Sequence, residues 1–326
     1  MQNRYLILNM LSDGKFHSGE DIGNDLGLSR TAVWKHLNAL SDMGLELHKV
    51  RGRGYRLAAP IELLDESIIR RMMDIDSNQI INNLEIYAEL ESTNHYLKQK
   101  IQQGADTGHV CMSESQSEGR GTKGRTWVSP FGRNIYLSLL WKFNCSPSEL
   151  CGLSLSVGVA VARAIEEIGA ADVKLKWPND LVWKNQKLGG LLLEMAGEAS
   201  GPCQVVIGVG VNVSMPESVG RSIDQPWVDI NTILSNEPVS RNKLTGSILK
   251  HLCGVLSEFQ DAGFAVTRKE WLRRDVIVGK AVKLLLPNRE IFGVVKDIDE
   301  NGALLLESEG RVKQYASGEV SLRLQS

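Results

Sequence analysis

Cysteine is scarce and scattered in this 326-residue chain: five residues, an odd number, at positions 111, 145, 151, 203 and 253, with no C-x-x-C among them. Such scatter argues against a disulfide framework and against the common zinc patterns, so no metal site built by protein ligands alone is expected; a reducing cytoplasm is. Excess charge is also missing. With 37 Lys/Arg against 39 Asp/Glu the net is −2, which argues against a uniformly basic nucleic-acid coat. No apolar run reads as reaching the ~18 residues of a membrane span, and no signal-peptide pattern opens the chain. No internal repeat or low-complexity segment stands out. What remains is the 42% hydrophobic, 23% charged composition of an ordinary soluble protein, long enough for two or three domains.

Balanced overall charge conceals a local asymmetry. Residues 1–60 hold eight Lys/Arg and six Asp/Glu, and from Arg30 to Leu57 the count is six against two. Residues 4–12 read as a short helix, and Ser18 can cap a second one over Gly19–Leu26. Gly27-Leu28-Ser29 makes a tight turn into a third helix. That helix turns Val33, Leu37 and Leu40 inward and Arg30, Thr31, Lys35, His36 and Asn38 outward. Residues Gly19 to Asn38 thus describe a helix-turn-helix. Two short strands then flank Arg51-Gly52-Arg53-Gly54, a hairpin tip suited to phosphates or a minor groove. A winged DNA-binding domain over residues 1–60 is expected, with Arg30, Lys35, Asn38, Arg51 and Arg53 as its contacts; a protein-docking helical module is the alternative. Ile61 to Met73 reads as a linking helix.

The most informative stretch is Gly119-Arg-Gly-Thr-Lys-Gly-Arg-Thr-Trp127. Glycines let backbone approach a ligand closely, and the interleaved Arg120, Lys123 and Arg125 can neutralise phosphate or carboxylate oxygens. The stretch almost fits both G-x-G-x-x-G and a Walker A loop with Arg125 in the lysine position. Both motifs require a helix to open at the loop. Here Val128-Ser129-Pro130-Phe131-Gly132 and a strand-like Asn134 to Trp141 follow instead. On local context the loop is either an anion clamp or a solvated basic turn.

From about Leu84 strands alternate with helices. Leu84 to Leu90 reads as a strand, and Ser92 or Thr93 caps the next helix, capping alone being one account of both. Val110 to Ser113 is a strand that delivers Gln116 and the glycine loop, and Cys151 to Ile168 is a long apolar helix. Pro178 ends the strand Val173 to Trp177 abruptly, leaving Asn179 and Asp180 in the turn. Lys187-Leu188-Gly189-Gly190 enters a buried strand, and Gly208 and Gly210 interrupt another at Val205 to Val213, where a ligand or second backbone can approach. Glu270-Trp271 lies on the last helix of a central domain spanning 61–274. After Val276, short strands separated by Pro287-Asn288-Arg289, Glu300-Asn301-Gly302, Ser308-Glu309-Gly310 and Ser317-Gly318 suggest an SH3-like β-barrel over 275–326.

Taken in order, Glu91-Ser-Thr-Asn94, Gln116 with the glycine loop to Trp127, Lys176-Trp-Pro-Asn-Asp180, Lys187-Leu-Gly-Gly190 and Gly208-x-Gly-x-Asn212 resemble the biotin–protein ligases. The helix-turn-helix in front is similar to the branch that doubles as biotin-operon repressor. The resemblance covers essentially the whole chain and implies an α/β (α+β) architecture with a central mixed-sheet, biotin/lipoate-ligase-like domain. It further implies activation of biotin with ATP and Mg²⁺ to biotinyl-5′-AMP, then transfer to a lysine of biotin carboxyl carrier protein. Operator DNA would be the second partner, with a homodimer when the adenylate is bound and the adenylate as corepressor; no membrane partner is expected. By resemblance Ser92, Thr93 and Gln116 bind the ureido ring, Asn94 belongs to the same biotin/adenylate-binding set, and Gly208 lines the ring's pocket. Arg120, Gly121 and Thr122 cover the carboxylate and phosphate, and Trp127 forms a wall. Lys187 and Arg120 carry the catalytic charge, and Asn179 and Asp180 reach Mg²⁺ or nucleotide. Where the family's loop has paired arginines this chain has Thr122-Lys123, which leaves two guanidiniums and one positive charge fewer to retain the adenylate.

Overall fold

The computed structural model describes all residues except 1, 197–201, 236–237, 287–288, 317–320 and 325–326. The expected turns at Pro287-Asn288 and Ser317-Gly318 therefore lie outside the described residues.

Three helices open the chain: α1 (Gln2–Leu11), α2 (Gly19–Leu26) and α3 (Arg30–Ser41). Ser18 and Ser29 cap α2 and α3 by accepting the backbone N–H groups of Asp21 and Ala32, and Gly27 closes α2 at φ 64°, which a side-chain-bearing residue rarely adopts. The wing pairs β1 (Leu47–Val50) with β2 (Gly54–Leu57). His17 bridges to Tyr55 as a third rung, and Gly54 is required there because a Cβ would lie 2.0 Å from the His17 carbonyl oxygen.

The expected linking helix over 61–73 does not form as one piece. Ile61 to Leu64 run without helical structure, and two short helices follow, α4 (Glu66–Arg71) and α5 (Ile75–Ile80), capped by Asp65 and Asp74. Tertiary burial overrides helical pattern here. Ile61 and Leu63 join the core beneath α1–α3 together with Phe131, while the Leu64 N–H donates to buried Glu114.

The central layer is built from β3 (Asn83–Tyr87), α6 (Thr93–Gln102), β4 (His109–Ser113), β5 (Ile135–Phe143), α7 (Leu153–Glu167), β6 (Lys174–Lys176), β7 (Asp180–Trp183), β8 (Gln186–Ala196) and β9 (Cys203–Val211). The short α8 (Glu217–Gly220) and α9 (Ile230–Ile233) precede the long α10 (Arg241–Ala262) and α11 (Ala265–Arg274). The sheet runs β3-β4-β5-β9-β8-β7-β6, parallel only at β3–β4. Period-two alternation divides its faces. Val110, Met112, Leu137, Leu139, Val205, Ile207 and Val209 join the core of α7 and α10, while Cys111, Leu140 and Val206 meet Leu97 of α6. By the same alternation Ser138, Gly190, Leu192, Glu194, Gly208 and Gly210 share the α6 face. That face is where the cavity opens.

One expectation about hydropathy is corrected. Pro147–Glu167, 21 residues, is long and apolar enough by length and composition to span a membrane. In the fold it is a 3₁₀ turn followed by α7, whose apolar residues form the core against the sheet.

At the C-terminus β10 (Ala281–Leu285), β11 (Glu290–Ile298), β12 (Leu304–Ser308), β13 (Arg311–Tyr315) and β14 (Ser321–Leu324) form an antiparallel sheet ordered β13-β12-β11-β10-β14. Glu309 and Gly310, both at positive φ, turn β12 into β13 as a two-residue hairpin requires. This module shares the central core through Val282, Leu284, Val295 and Leu306, and the Trp177 indole N–H donates to the Gly302 carbonyl at 3.0 Å.

Candidate functional site

Glycines make the site's floor. On β8 and β9, Gly190 and Gly210 stand opposite each other, and the Trp127 ring lies over them. A Cβ at Gly210 would come within 2.7 Å of the Trp127 Cε2, and one at Gly190 within 3.3 Å of both the Trp127 ring and Lys187 Cε. Gly208 makes room in the same way for Asn94, whose Oδ1 lies 2.4 Å from where a Cβ would sit. The strand glycines thus serve close approach of side chains within the protein as well as of a ligand.

Over this floor the 119–127 loop closes on itself. Arg120 and Thr126 form an antiparallel bridge, the Gly121 N–H donates to the Arg125 carbonyl at 2.7 Å, and the Trp127 N–H to the Gly119 carbonyl at 2.8 Å. A 3₁₀ turn at Thr122–Gly124 holds Lys123 at φ 59°. Arg125 folds back on the Thr122 hydroxyl at 3.0 Å. Arg120 pairs with exposed Glu118, at 3.3 Å, a solvent-screened pair that a bound anion can replace at little cost.

At the cavity's other end Ser92 caps α6, accepting the His95 N–H. Gln116 Oε1 accepts the Thr93 backbone N–H at 2.9 Å, and Asn94 Nδ2 donates to the Leu192 carbonyl and to Glu194 Oε2 at 3.1 and 2.9 Å. Burial pushes the Glu194 carboxyl up, but the hydrogen bonds from Asn94 and Lys98 outweigh it and hold the group below its ordinary value.

A single cavity brings together Ser92, Thr93, Asn94, Gln116, Arg120, Gly121, Thr122, Trp127, Asn179, Lys187 and Gly208. Asp180 lines a second cavity with Met215, Asp224, Pro226 and Trp227. Arg125, Thr126, Trp127, Lys187 and Gln225 belong to both, so Trp127 and Lys187 stand in the partition. Lys187 is 13% exposed and ion-paired with Asp180 at 2.6 Å. The Asn179 amide is spent on the Leu191 carbonyl at 2.7 Å, pinning the turn after Pro178 to β8.

Two groups escaped the sequence reading. Ser138, fully buried on β5, lies 2.7 Å from the Thr93 hydroxyl and 2.6 Å from Asn94 Oδ1; its signal was a single serine in the hydrophobic run Ile135 to Trp141. Gln225 and Trp227 come from a segment without sequence periodicity, and only the fold brings them to the cavity.

On the N-terminal module Arg30, Lys35, Asn38, Arg51 and Arg53 are all exposed. Arg53 does not project freely, since its guanidinium stacks on Phe16 at 4.5 Å with Arg56 at 4.9 Å. Trp34 had passed unnoticed: it is 52% exposed on α3, beside Lys35 and one turn from Arg30 and Asn38.

Comparison with known proteins bears on this arrangement. Residues 87–212 match the biotin/lipoate A/B protein ligase family, 277–323 the biotin protein ligase C-terminal domain, and 3–56 an HTH domain. Over 317 residues the chain is 38% identical to the bifunctional ligase/repressor BirA of Escherichia coli strain K12, covering 97% of this chain and 96% of that one. The chain belongs to the biotin–protein ligase family. To the bifunctional ligase/repressor BirA of Bacillus subtilis it is 30% identical over 94% of each chain. The solved biotin protein ligase from Aquifex aeolicus, in complex with biotin and ATP, superposes with a TM-score of 0.63 at 28% identity. That match covers 75% of this chain and 100% of that one. Among biotin–protein ligases, the helix-turn-helix places this chain with the ligase/repressors.

Proposed function

We propose that this chain activates biotin with MgATP and transfers it to a lysine of biotin carboxyl carrier protein. A carboxylate oxygen of biotin attacks the α-phosphorus, pyrophosphate leaves, and biotinyl-5′-AMP forms. The carrier amine then attacks the acyl carbon and AMP departs. The observation that carries this reading is the shared wall of the two cavities. We assign biotin to the one lined by Thr93 and Gln116 and the nucleotide to the one lined by Trp227; Lys187 lines both.

In the first step two anions must meet, so cations and backbone N–H groups placed there supply most of the catalysis. Lys187 and Arg120 neutralise the carboxylate and the transferred phosphoryl group, and Gly121 and Thr122 cover them. Trp127 walls the pocket, and Ser92, Thr93 and Gln116 read the ring, with Asn94 holding them from beside, at the end where Gly208 lines the floor. Mg²⁺ enters as part of the nucleotide complex on the Asn179–Asp180 side. Purified protein with biotin, ATP and a biotin carrier domain, read by mass shift, tests the proposal; an unshifted carrier sinks it.

The winged module, residues 1–60, binds operator DNA and represses biotin synthesis, with biotinyl-5′-AMP as corepressor. Residues 61–274 form the ligase and 275–326 the C-terminal module. Only the adenylate presents both ring and phosphate, so it orders the glycine loop and favours a homodimer that brings two wings to one palindrome. Sedimentation without ligand, with biotin and with a non-hydrolysable adenylate analogue should show dimer gain of roughly 5–150-fold only with the last. We place the protein in the cytoplasm, where its five cysteines remain reduced.

A further inference from the structure

We propose that Ser138 is a positioning residue which fixes the hydrogen-bond polarity of Thr93, so that the pocket accepts only a ring that offers an N–H at that point. The proposal rests on the biotin-ligase reading given above and deepens it.

The protons available to the cluster fix its polarity. Asn94 has a defined amide orientation, because its Nδ2 faces two groups that can only accept, the Leu192 carbonyl and Glu194 Oε2. Its Oδ1 is therefore an acceptor. Gln116 is defined likewise, since its Oε1 takes the Thr93 backbone N–H. Between these two carbonyl oxygens stand two hydroxyls. Ser138 Oγ is 2.6 Å from Asn94 Oδ1 and 2.7 Å from Thr93 Oγ1, and Thr93 Oγ1 is 3.2 Å from Gln116 Oε1. Each hydroxyl has one proton. The Ser138 proton goes to Asn94 or to Thr93, and the Thr93 proton to Gln116 or to Ser138. Both are consumed inside the cluster under either assignment.

Thr93 consequently turns a lone pair to the cavity and no proton. Gln116 Nε2 spends one N–H on the Ser129 hydroxyl at 3.3 Å and keeps the other. An acceptor beside a donor is complementary to a ring N–H next to a carbonyl, as in a cyclic urea. The arrangement is rigid for identifiable reasons. Ser138 is fully buried in a central strand with Gly208 opposite it, and Asn94 is anchored through Glu194 to Lys98 at 2.9 Å. A site whose buried polar groups are committed in this way rejects a ligand lacking the matching group, because the acceptor is left unpaired.

The test compares biotin with an analogue in which one ring N–H is replaced by oxygen, using pyrophosphate exchange with the full chain. Ser138→Ala leaves the Thr93 proton only the long 3.2 Å contact to Gln116 Oε1, so the hydroxyl can turn it toward the ring. We expect KM for biotin to rise about tenfold, with kcat and KM for ATP within about twofold. The biotin-to-analogue ratio of kcat/KM should fall by at least about tenfold, and Ser138→Thr, which retains the hydroxyl, should restore it. An unchanged ratio in Ser138→Ala, or an equal fall in Ser138→Thr, overturns the proposal. If Ser138→Ala does not fold, Ser138→Cys, with its weak donor, must lower the ratio, and a parental ratio there overturns it equally. Wild-type protein inert toward biotin would instead sink the ligase reading, and this proposal with it; an active wild type with an unchanged variant ratio sinks this proposal alone.

Discussion

The Lys187 ammonium lies 2.6 Å from Asp180 Oδ1 and 5.6 Å from the centre of the Trp127 ring. The cation is thereby aimed at the wall between the two cavities before any substrate arrives. Removing it should slow biotinyl-AMP formation on the order of 10²–10³-fold, the usual cost of losing a charge-stabilising donor. Single-turnover adenylation of Lys187→Ala is the measurement, and a parental rate would remove Lys187 from the chemistry. Asp180→Asn should slow the same step by less, because the ammonium survives without its guide.

Gly210→Ala tests the glycine floor. A Cβ there would sit 2.7 and 2.8 Å from Trp127 Cε2 and Cζ2, so the ring must move or strain must be stored. Overpacking of this kind costs about 1–3 kcal/mol, readable in denaturant melts, and adenylation should fall with it. Adding Trp127→Ala, which opens the space, should recover the stability and leave activity low.

Beneath the N-terminal module Arg241 pairs with Glu114 at 2.7 Å, with side-chain exposures of 4% and 0%. Breaking a buried pair from one side strands the remaining charge. Arg241→Met should destabilise by about 3–5 kcal/mol, and Arg241→Met with Glu114→Gln by clearly less. Equal losses in the two proteins would contradict the pairing.

Phosphate contacts by the wing make a salt-dependent prediction. Arg51→Ala should reduce the slope of log affinity against log salt by about one, for every DNA sequence. Arg53→Ala should do less, because Phe16 shares that guanidinium. Substitutions at Lys35, Asn38 or the exposed Trp34 should alter sequence preference instead. Gel shifts at several salt concentrations separate these outcomes, and an unchanged slope in Arg51→Ala would take the wing off the phosphates.

Glu167 joins α7 to α10. Hydrogen bonds from Lys250 and then Ser247 lower its carboxyl from the ordinary 4.5 to about 2, against a smaller upward push from burial. A depressed folded-state pKa adds stability above the ordinary value and loses it as pH falls toward the folded one. Between about pH 4.5 and 2 the Tm of the parent should therefore approach that of Glu167→Gln. Parallel Tm curves across that window would contradict the linkage.

Some of this was legible without coordinates because it is local. Capping by Ser18 and Ser29, the αL glycine at position 27 and the hairpin tip at 51–54 depend on neighbours a few residues away, and backbone stereochemistry enforces them. The ordered motifs also named residues that line the cavity: Ser92 and Thr93 at the start of α6, Gln116 and the glycine loop after β4, Lys187 at the start of β8 and Gly208 within β9. Tertiary structure decided what spans long sequence separations. Ile61 to Leu64 surrender a helical pattern because Phe131 and Glu114, far along the chain, offer burial and a hydrogen bond worth more than a few helical turns. Ser138 reads as a strand residue until the sheet register sets it opposite Gly208 and within reach of Thr93 and Asn94. Lys187 reads as a cation near glycines until β7 and β8 pair and bring Asp180 to it. The sequence by itself determined which chemical groups were present and how the chain bends locally. The fold alone decided which of those groups share the α6 face, because burial, and with it the commitment of hydrogen bonds, is a property of the packed sheet.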